Sequence, residues 1–184
     1  MLLRDLGFFR VLPVGLIASF IIASSPGTSL AEDGRIIAHT PFDQKMASAG
    51  VLDPSFYSSG DNRSPERLFA ECRSFRYSKD RGRDHWQSPA ETQARRSGDC
   101  EDKAIWIFSH LQNQGFSDVR FVIGRYRNFK GGLHVWVTYR GSDGGVYILD
   151  PAMQRRIWRT ADFSSDFYHP LFSFDGTHRY SHSS

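Results

Sequence analysis

Gly98-Asp99-Cys100-Glu101-Asp102-Lys103-Ala104-Ile105-Trp106-Ile107-Phe108-Ser109-His110-Leu111-Gln112-Asn113-Gln114-Gly115 is the stretch on which the fold turns. Ala104, Ile105, Phe108, Leu111 and Gln112 follow the spacing of one helical face, and Gly115 stands where a left-handed residue closes a helix. Cys100 falls in the first turn. Directly afterwards the pattern becomes alternating: Val119, Phe121 and Ile123, then Val135, Val137 and Tyr139, then Val146 and Ile148. These are three strands. Gly131-Gly132 and Gly141-Ser142-Asp143-Gly144-Gly145 are turn sequences, so the last two strands form an antiparallel hairpin with the first beside them. The class is α+β, a helix packed on an antiparallel sheet.

Upstream, Ser88-Pro89-Ala90-Glu91-Thr92 has the form of a capping box and launches a short helix that ends near Ser97-Gly98. Ser64-Pro65-Glu66 is an earlier helix start, followed by Leu68, Phe69, Cys72 and Phe75 at helical spacing, which puts Cys72 on a buried face. Between Glu32 and Ser64 the chain is rich in Ser, Gly, Asp and Pro, and Pro41 and Pro54 interrupt any period; an extended N-terminal arm is expected over residues 32–64. From Trp158 onward the sequence is aromatic and polar without a period.

Residues 1–31 read as an export signal: Arg4 and Arg10 precede the apolar run Val11 to Ala23, and Ser29-Leu30-Ala31 offers small residues for cleavage after Ala31. The destination is then periplasmic or secreted, with no membrane attachment once the signal is cleaved; a retained N-terminal anchor is the structural alternative. A single domain over residues 65–184 follows from a length of 184 residues and a hydrophobic content of 40%. The 23 basic residues against 20 acidic ones give +3, and the arginines are interleaved with acids, so nucleic acid is not an expected partner. No CxxC pair, Gly-rich phosphate loop or Walker sequence is present, which leaves zinc and organic cofactors without support.

The chemistry centres on Cys100. A helix N-terminus favours thiolate over thiol through its unpaired N–H groups and positive dipole end. A five-residue loop at 141–145 pairs Arg140 with Val146 and Thr138 with Ile148, so Trp136 faces Asp150 and His134 lies diagonally from Asp150 on the same face. A thiol, an imidazole and a carboxylate in that order are the parts of a nucleophile, a general base and an orienting acid. Cys72 and Cys100 admit two readings in an oxidising compartment, one disulfide or one reactive thiol.

Trp86-Gln87-Ser88-Pro89-Ala90-Glu91-Thr92, Gly98-Asp99-Cys100-Glu101-Asp102-Lys103-Ala104, His134-Val135-Trp136-Val137 and Leu149-Asp150-Pro151 together resemble the transglutaminase-like superfamily, and within it the bacterial transglutaminase-like cysteine proteinases. The resemblance covers residues 66 to about 152. It implies a papain-like fold, Cys100, His134 and Asp150 as a catalytic triad, and a protein or peptide substrate. Some members of this group are calcium-dependent, with acidic residues flanking the Cys implicated in the metal site; Asp99, Glu101 and Asp102 match those positions. Three carboxylates beside a thiol would raise its pKa unless a cation compensates, and Arg95, Arg96 and Lys103 are the other available counter-charges. Trp86 and Gln87 are expected in the cleft, with Gln87 as an oxyanion donor. Peptide hydrolysis is the leading expectation. Acyl transfer to an amine, as in a protein-glutamine acyltransferase, uses the same triad, and a non-catalytic binding module with a Cys72–Cys100 disulfide is the rival of a different class.

Overall fold

A computed structural model describes residues 34–57, 62–127, 130, 132–164 and 166–183. The expected export signal, residues 1–31, lies outside the described residues.

The strands are β1 (Arg35–Ile37), β2 (Arg76–Tyr77), β3 (Ser97–Gly98), β4 (Ser117–Tyr126), β5 (His134–Arg140), β6 (Val146–Leu149), β7 (Trp158–Arg159), β8 (Tyr168–Phe174) and β9 (Arg179–Ser181). The helices are α1 (Asp43–Ser48), α2 (Pro65–Ser74), α3 (Pro89–Arg95) and α4 (Cys100–Asn113). Seven strands form one antiparallel sheet in the order β1-β9-β8-β4-β5-β6-β7, while β2 and β3 make a small parallel pair. The α+β class, with the Cys100 helix packed on an antiparallel sheet, is the one the sequence led to.

Both Ser-Pro starts cap as their chemistry dictates. Ser64 accepts from the Arg67 N–H, and Ser88 accepts from Glu91 N while the Glu91 carboxylate takes Ser88 N at 2.9 Å. Gly115 closes α4 with φ 72°. The hairpin register is Arg140↔Val146 and Thr138↔Ile148.

The main core lies between the helices and one face of the sheet. Leu68, Phe69 and Cys72 of α2 and Ile105, Phe108 and Leu111 of α4 meet Phe121 and Ile123 of β4 and Val135 and Val137 of β5. Residues in between point the other way: Val122, Trp136, Ile148 and Tyr168 form a smaller core on the opposite face. Helix α4 is buried on nearly every side, because α2 and α3 cover what the sheet does not.

Two expectations are corrected. The described part of residues 32–64 is not an extended arm: β1 pairs with β9, and Met46, Ala49 and Val51 enter the main core at 1% exposure or less. The polar, Pro-broken composition hides this because only a few apolar side chains anchor the segment, and their partners are distant in sequence. Met46→Ala should therefore cost about 2–4 kcal/mol, read as a lowered denaturant midpoint; an unchanged midpoint would mean the segment is not anchored. The second correction concerns the cysteines. Cys72 and Cys100 are both free thiols, and Cys72 donates to Lys103 O at 3.5 Å, so the disulfide-bearing module loses its premise.

Candidate active site

Cys100 is the first residue of α4, buried at 5% exposure. Its place depends on the turn before it. Gly98 lies so close to Asp102 that a Cβ there would approach the Asp102 carboxylate to 2.6 Å, so glycine alone lets α4 start with Asp102 folded back over the turn. Asp102 is fully buried and accepts three hydrogen bonds, from Gln87 N (2.8 Å), Gln87 Nε2 (2.7 Å) and Asp99 N (3.3 Å). It closes the helix start and ties the 86–88 segment to it.

His134 opens β5 and Asp150 follows the last residue of β6. Both side chains are 0% exposed, and His134 Nε2 stands 2.7 Å from Asp150 Oδ2. Tyr168 Oη donates to the same carboxylate oxygen at 2.8 Å, while Oδ1 accepts the Ala152 and Met153 N–H groups. With these donors an ionised Asp150 is fully satisfied, the proton sits on His134 Nε2, and Nδ1 is left as the basic nitrogen. Asp150 thus both holds the His134 ring by its Nε2 and forms the turn before Pro151. The Val135 backbone N–H, one residue on from His134, is directed at Cys100 Sγ, which brings the thiol to the start of β5. Tyr168 and its partner Gln154, whose Nε2 donates to Tyr168 Oη at 3.0 Å, were not legible in the sequence; they sit in or beside the aperiodic C-terminal segment.

The electrostatics hold the thiol protonated. Burial pushes Cys100 well above its ordinary value, and the charge of Glu101 and its hydrogen bond to Sγ add to this; Sγ donates to Glu101 Oε2 at 3.0 Å. Glu101 is itself raised to about 7, by burial first and then by Asp99. Asp99 is also raised by burial, and the two carboxyls are in hydrogen-bond contact, which needs a proton between them. Burial raises Asp102 to about 7 against the pull of its N–H donors.

A cleft of about 470 Å³ opens over Cys100. Trp86, Phe42, Ile123 and Val135 supply apolar lining, and Asp80, Asp84, Asp99 and Glu101 supply acidic lining. Phe42 stacks on Trp86 with ring centroids 6.2 Å apart, so the N-terminal segment forms part of this wall. Of the two residues expected in the cleft, Trp86 lines it. Gln87 sits behind, buried, with its amide on Asp102.

Asp99 and Glu101 fit a divalent cation. Their oxygens are adjacent, and Asp99 Oδ1 is buried with no hydrogen-bond partner. Asp102 does not fit as a ligand, since its oxygens are committed to Gln87 and the helix start. Among the described residues no group of three or more His, Cys, Asp or Glu side chains stands at metal-ligand spacing. A hard cation here would take its remaining ligands from backbone carbonyls and water.

No protein-family model and no curated protein sequence matches the chain. Solved structures do. Legionella pneumophila LapG superposes with a TM-score of 0.54 at 20% identity, over 78% of this chain and 81% of that one. The chain has the LapG fold. The EGTA-treated form of LapG gives a TM-score of 0.56 at 20% identity over 80% and 81% of the two chains, and the calcium-bound form gives 0.54 over 78% and 81%. This likeness agrees with the α+β class, a helix bearing Cys100 packed on an antiparallel sheet.

Proposed function

We propose that the chain is a thiol peptidase with Cys100 as nucleophile, His134 as general base and acid, and Asp150 as the group that orients the imidazole. The observation that carries this reading is the fully buried His134–Asp150 pair at 2.7 Å beside a thiol at a helix N-terminus. The Cys100 proton passes to His134 Nδ1, and the sulfur attacks the peptide carbonyl carbon. His134 returns the proton to the leaving amine as the C–N bond breaks, leaving a thioester on Cys100. Water, deprotonated by His134, then breaks the thioester and releases the acid. Asp150 and Tyr168 keep the ring in one tautomer throughout. An exported protein acting on a cell-surface or other extracytoplasmic protein agrees with the N-terminal sequence. Incubation of the exported form with a pool of proteome-derived peptides, read by mass spectrometry, tests the reading. New termini that need a free Cys100 thiol support it, and none under any calcium condition sinks it.

Calcium is part of the same reading, supported by the LapG forms and by the acid pair. Bound between Asp99 and Glu101, it would supply positive charge beside the thiol. Glu101 would then accept no proton from Cys100, and the sulfur would be freer to exchange its proton with His134. A pH dependence follows. Glu101 has an ordinary value of 4.5 and is raised to about 7 in the folded chain. The folded chain therefore binds this proton more tightly than the unfolded one. The resulting stability is present below about pH 4.5 and is lost as pH rises through about 7. The metal-free protein should show a falling Tm between about pH 5 and about pH 8, Glu101→Gln should flatten that fall, and added calcium should raise Tm more at the upper end. Differential scanning fluorimetry checks this, and an identical slope in Glu101→Gln would contradict it.

A further inference from the structure

The cleft does not end at Cys100. Tyr77 lines both the cleft and a second hollow of about 300 Å³, and Arg155 lines both that hollow and a larger groove of about 940 Å³ walled by Phe116, Tyr139 and Tyr147. The smallest depression thus lies between the other two, bordering the cleft at Tyr77 and the groove at Arg155.

The middle hollow has a distinct character. Arg73, Lys103 and Arg155 line it, and no carboxylate does. Lys103 is only 2% exposed; its Nζ donates to Phe75 O at 2.7 Å, and an ammonium carries two further donors. Arg73 donates Nε to Gln154 O at 3.2 Å, and neither Arg73 nor Arg155 has an acidic partner among the described residues. The nearest carboxylate in the catalytic group, Asp150, is taken up by His134, Tyr168 and two backbone N–H groups. The adjoining cleft is mixed in charge, with Lys45 and Lys79 beside Asp80 and Asp84, and next to Cys100 it presents the acids Asp99 and Glu101.

We propose that the substrate polypeptide leaves the catalytic cleft past Tyr77 and places a carboxylate, from an Asp or Glu side chain, in the hollow of Arg73, Lys103 and Arg155. This rests on the peptidase reading. Lys103 is one helical turn from Cys100, about 4.5 Å along the axis of α4, so the acidic residue falls within about two to four positions of the bond cleaved. An acid at the bond itself would meet Asp99 and Glu101, the carboxyls beside Cys100. The substrate class is therefore an extended segment with an uncharged cleavage point and an acid a short distance to one side.

The test uses end-blocked decapeptide libraries randomised over uncharged residues, with one Glu walked through the positions and a matched set carrying Gln. Cleavage is followed by mass spectrometry with the parent and with Arg73→Gln/Arg155→Gln. Both arginines are exposed, so the double variant removes charge at the rim without opening the core, and the buried Lys103 is left in place. In the parent, Glu at one or two adjacent positions on one side of the cut should raise kcat/KM about tenfold over Gln, through KM, and salt should reduce the ratio. The double variant should bring the ratio below about threefold. A flat profile in the parent, or a Glu preference that survives in the double variant, overturns the proposal. A second arm separates this failure from failure of the peptidase reading. Cys100→Ala protein, with and without the two Arg changes, captures the same libraries at equilibrium. If nothing is cleaved the peptidase reading falls, while Glu-over-Gln retention that depends on the arginines still upholds the hollow as a carboxylate site; equal retention refutes it.

Discussion

Cys100→Ala should lower kcat/KM by a factor on the order of 10⁴ or more, and His134→Ala by a similar factor, while thermal unfolding shifts little in the cysteine variant. The two changes should not add. Each removes the same proton-coupled nucleophile, so the double variant should be no slower than either single one. Asp150→Asn should cost about 10²–10⁴-fold for a specific geometric reason. The amide oxygen can still accept the Ala152 and Met153 N–H groups, which keeps the turn. The amide nitrogen then stands where Oδ2 accepted from His134 and Tyr168, and two donors face each other unless the imidazole changes tautomer. A tautomer change would leave no base toward the thiol. Steady-state kinetics on any cleaved peptide, paired with circular dichroism of each variant, reads this out. Full turnover in Cys100→Ala would remove the assignment altogether.

Asp102→Ala should be the most damaging change to the fold among the three acids at the helix start. It strips a fully buried carboxylate from three N–H donors, those of Gln87 N, Gln87 Nε2 and Asp99 N. The donors are left buried without partners, and the packing against Gly98 is lost. A cost of about 3–5 kcal/mol is expected. The loss should be the same with and without calcium, because these contacts use Gln87 and the Asp99 backbone N–H, and none of them uses the Asp99 or Glu101 carboxyl that would hold the cation. Asp99→Ala combined with Glu101→Ala should behave oppositely. It removes two carboxyls whose ionisation burial opposes, so the metal-free fold should be little harmed or strengthened, while the heat of calcium binding disappears. Chemical denaturation and calorimetric titration of the two variants separate the roles. If Asp102→Ala were as stable as the parent and had lost calcium binding, the assignments of Asp102 and of the acid pair would have to be exchanged.

The sequence by itself determined what depends on near neighbours. Capping needs only a Ser hydroxyl before a Pro at the first helical position and the N–H three residues on, so Ser64 and Ser88 marked true helix starts, and at Ser88 the Glu91 carboxylate completes a capping box. Strand register in a hairpin needs only a loop length and a period of two, so the five residues 141–145 were enough to place His134 diagonally from Asp150 on the same face. Cys100 at a helix start followed from the periodicity of its own helix.

Only the tertiary structure decided the contacts whose partners are far apart or whose direction is not periodic. Strands β8 and β9 showed no alternation, and β8 contains Pro170 and a break in register against β4 between Ile123 and Gly124. The N-terminal segment joined the sheet through β9, with more than a hundred residues between the partners. The three acids at residues 99, 101 and 102 looked alike as a cluster. A helix turns about 100° per residue, and what each side of the turn faces is set by other segments: Gln87 behind Asp102, the cleft before Asp99 and Glu101. Tyr168 on Asp150 has the same explanation. A strand that carries no local signal of its own delivers a hydroxyl to a carboxylate that hairpin geometry had already placed.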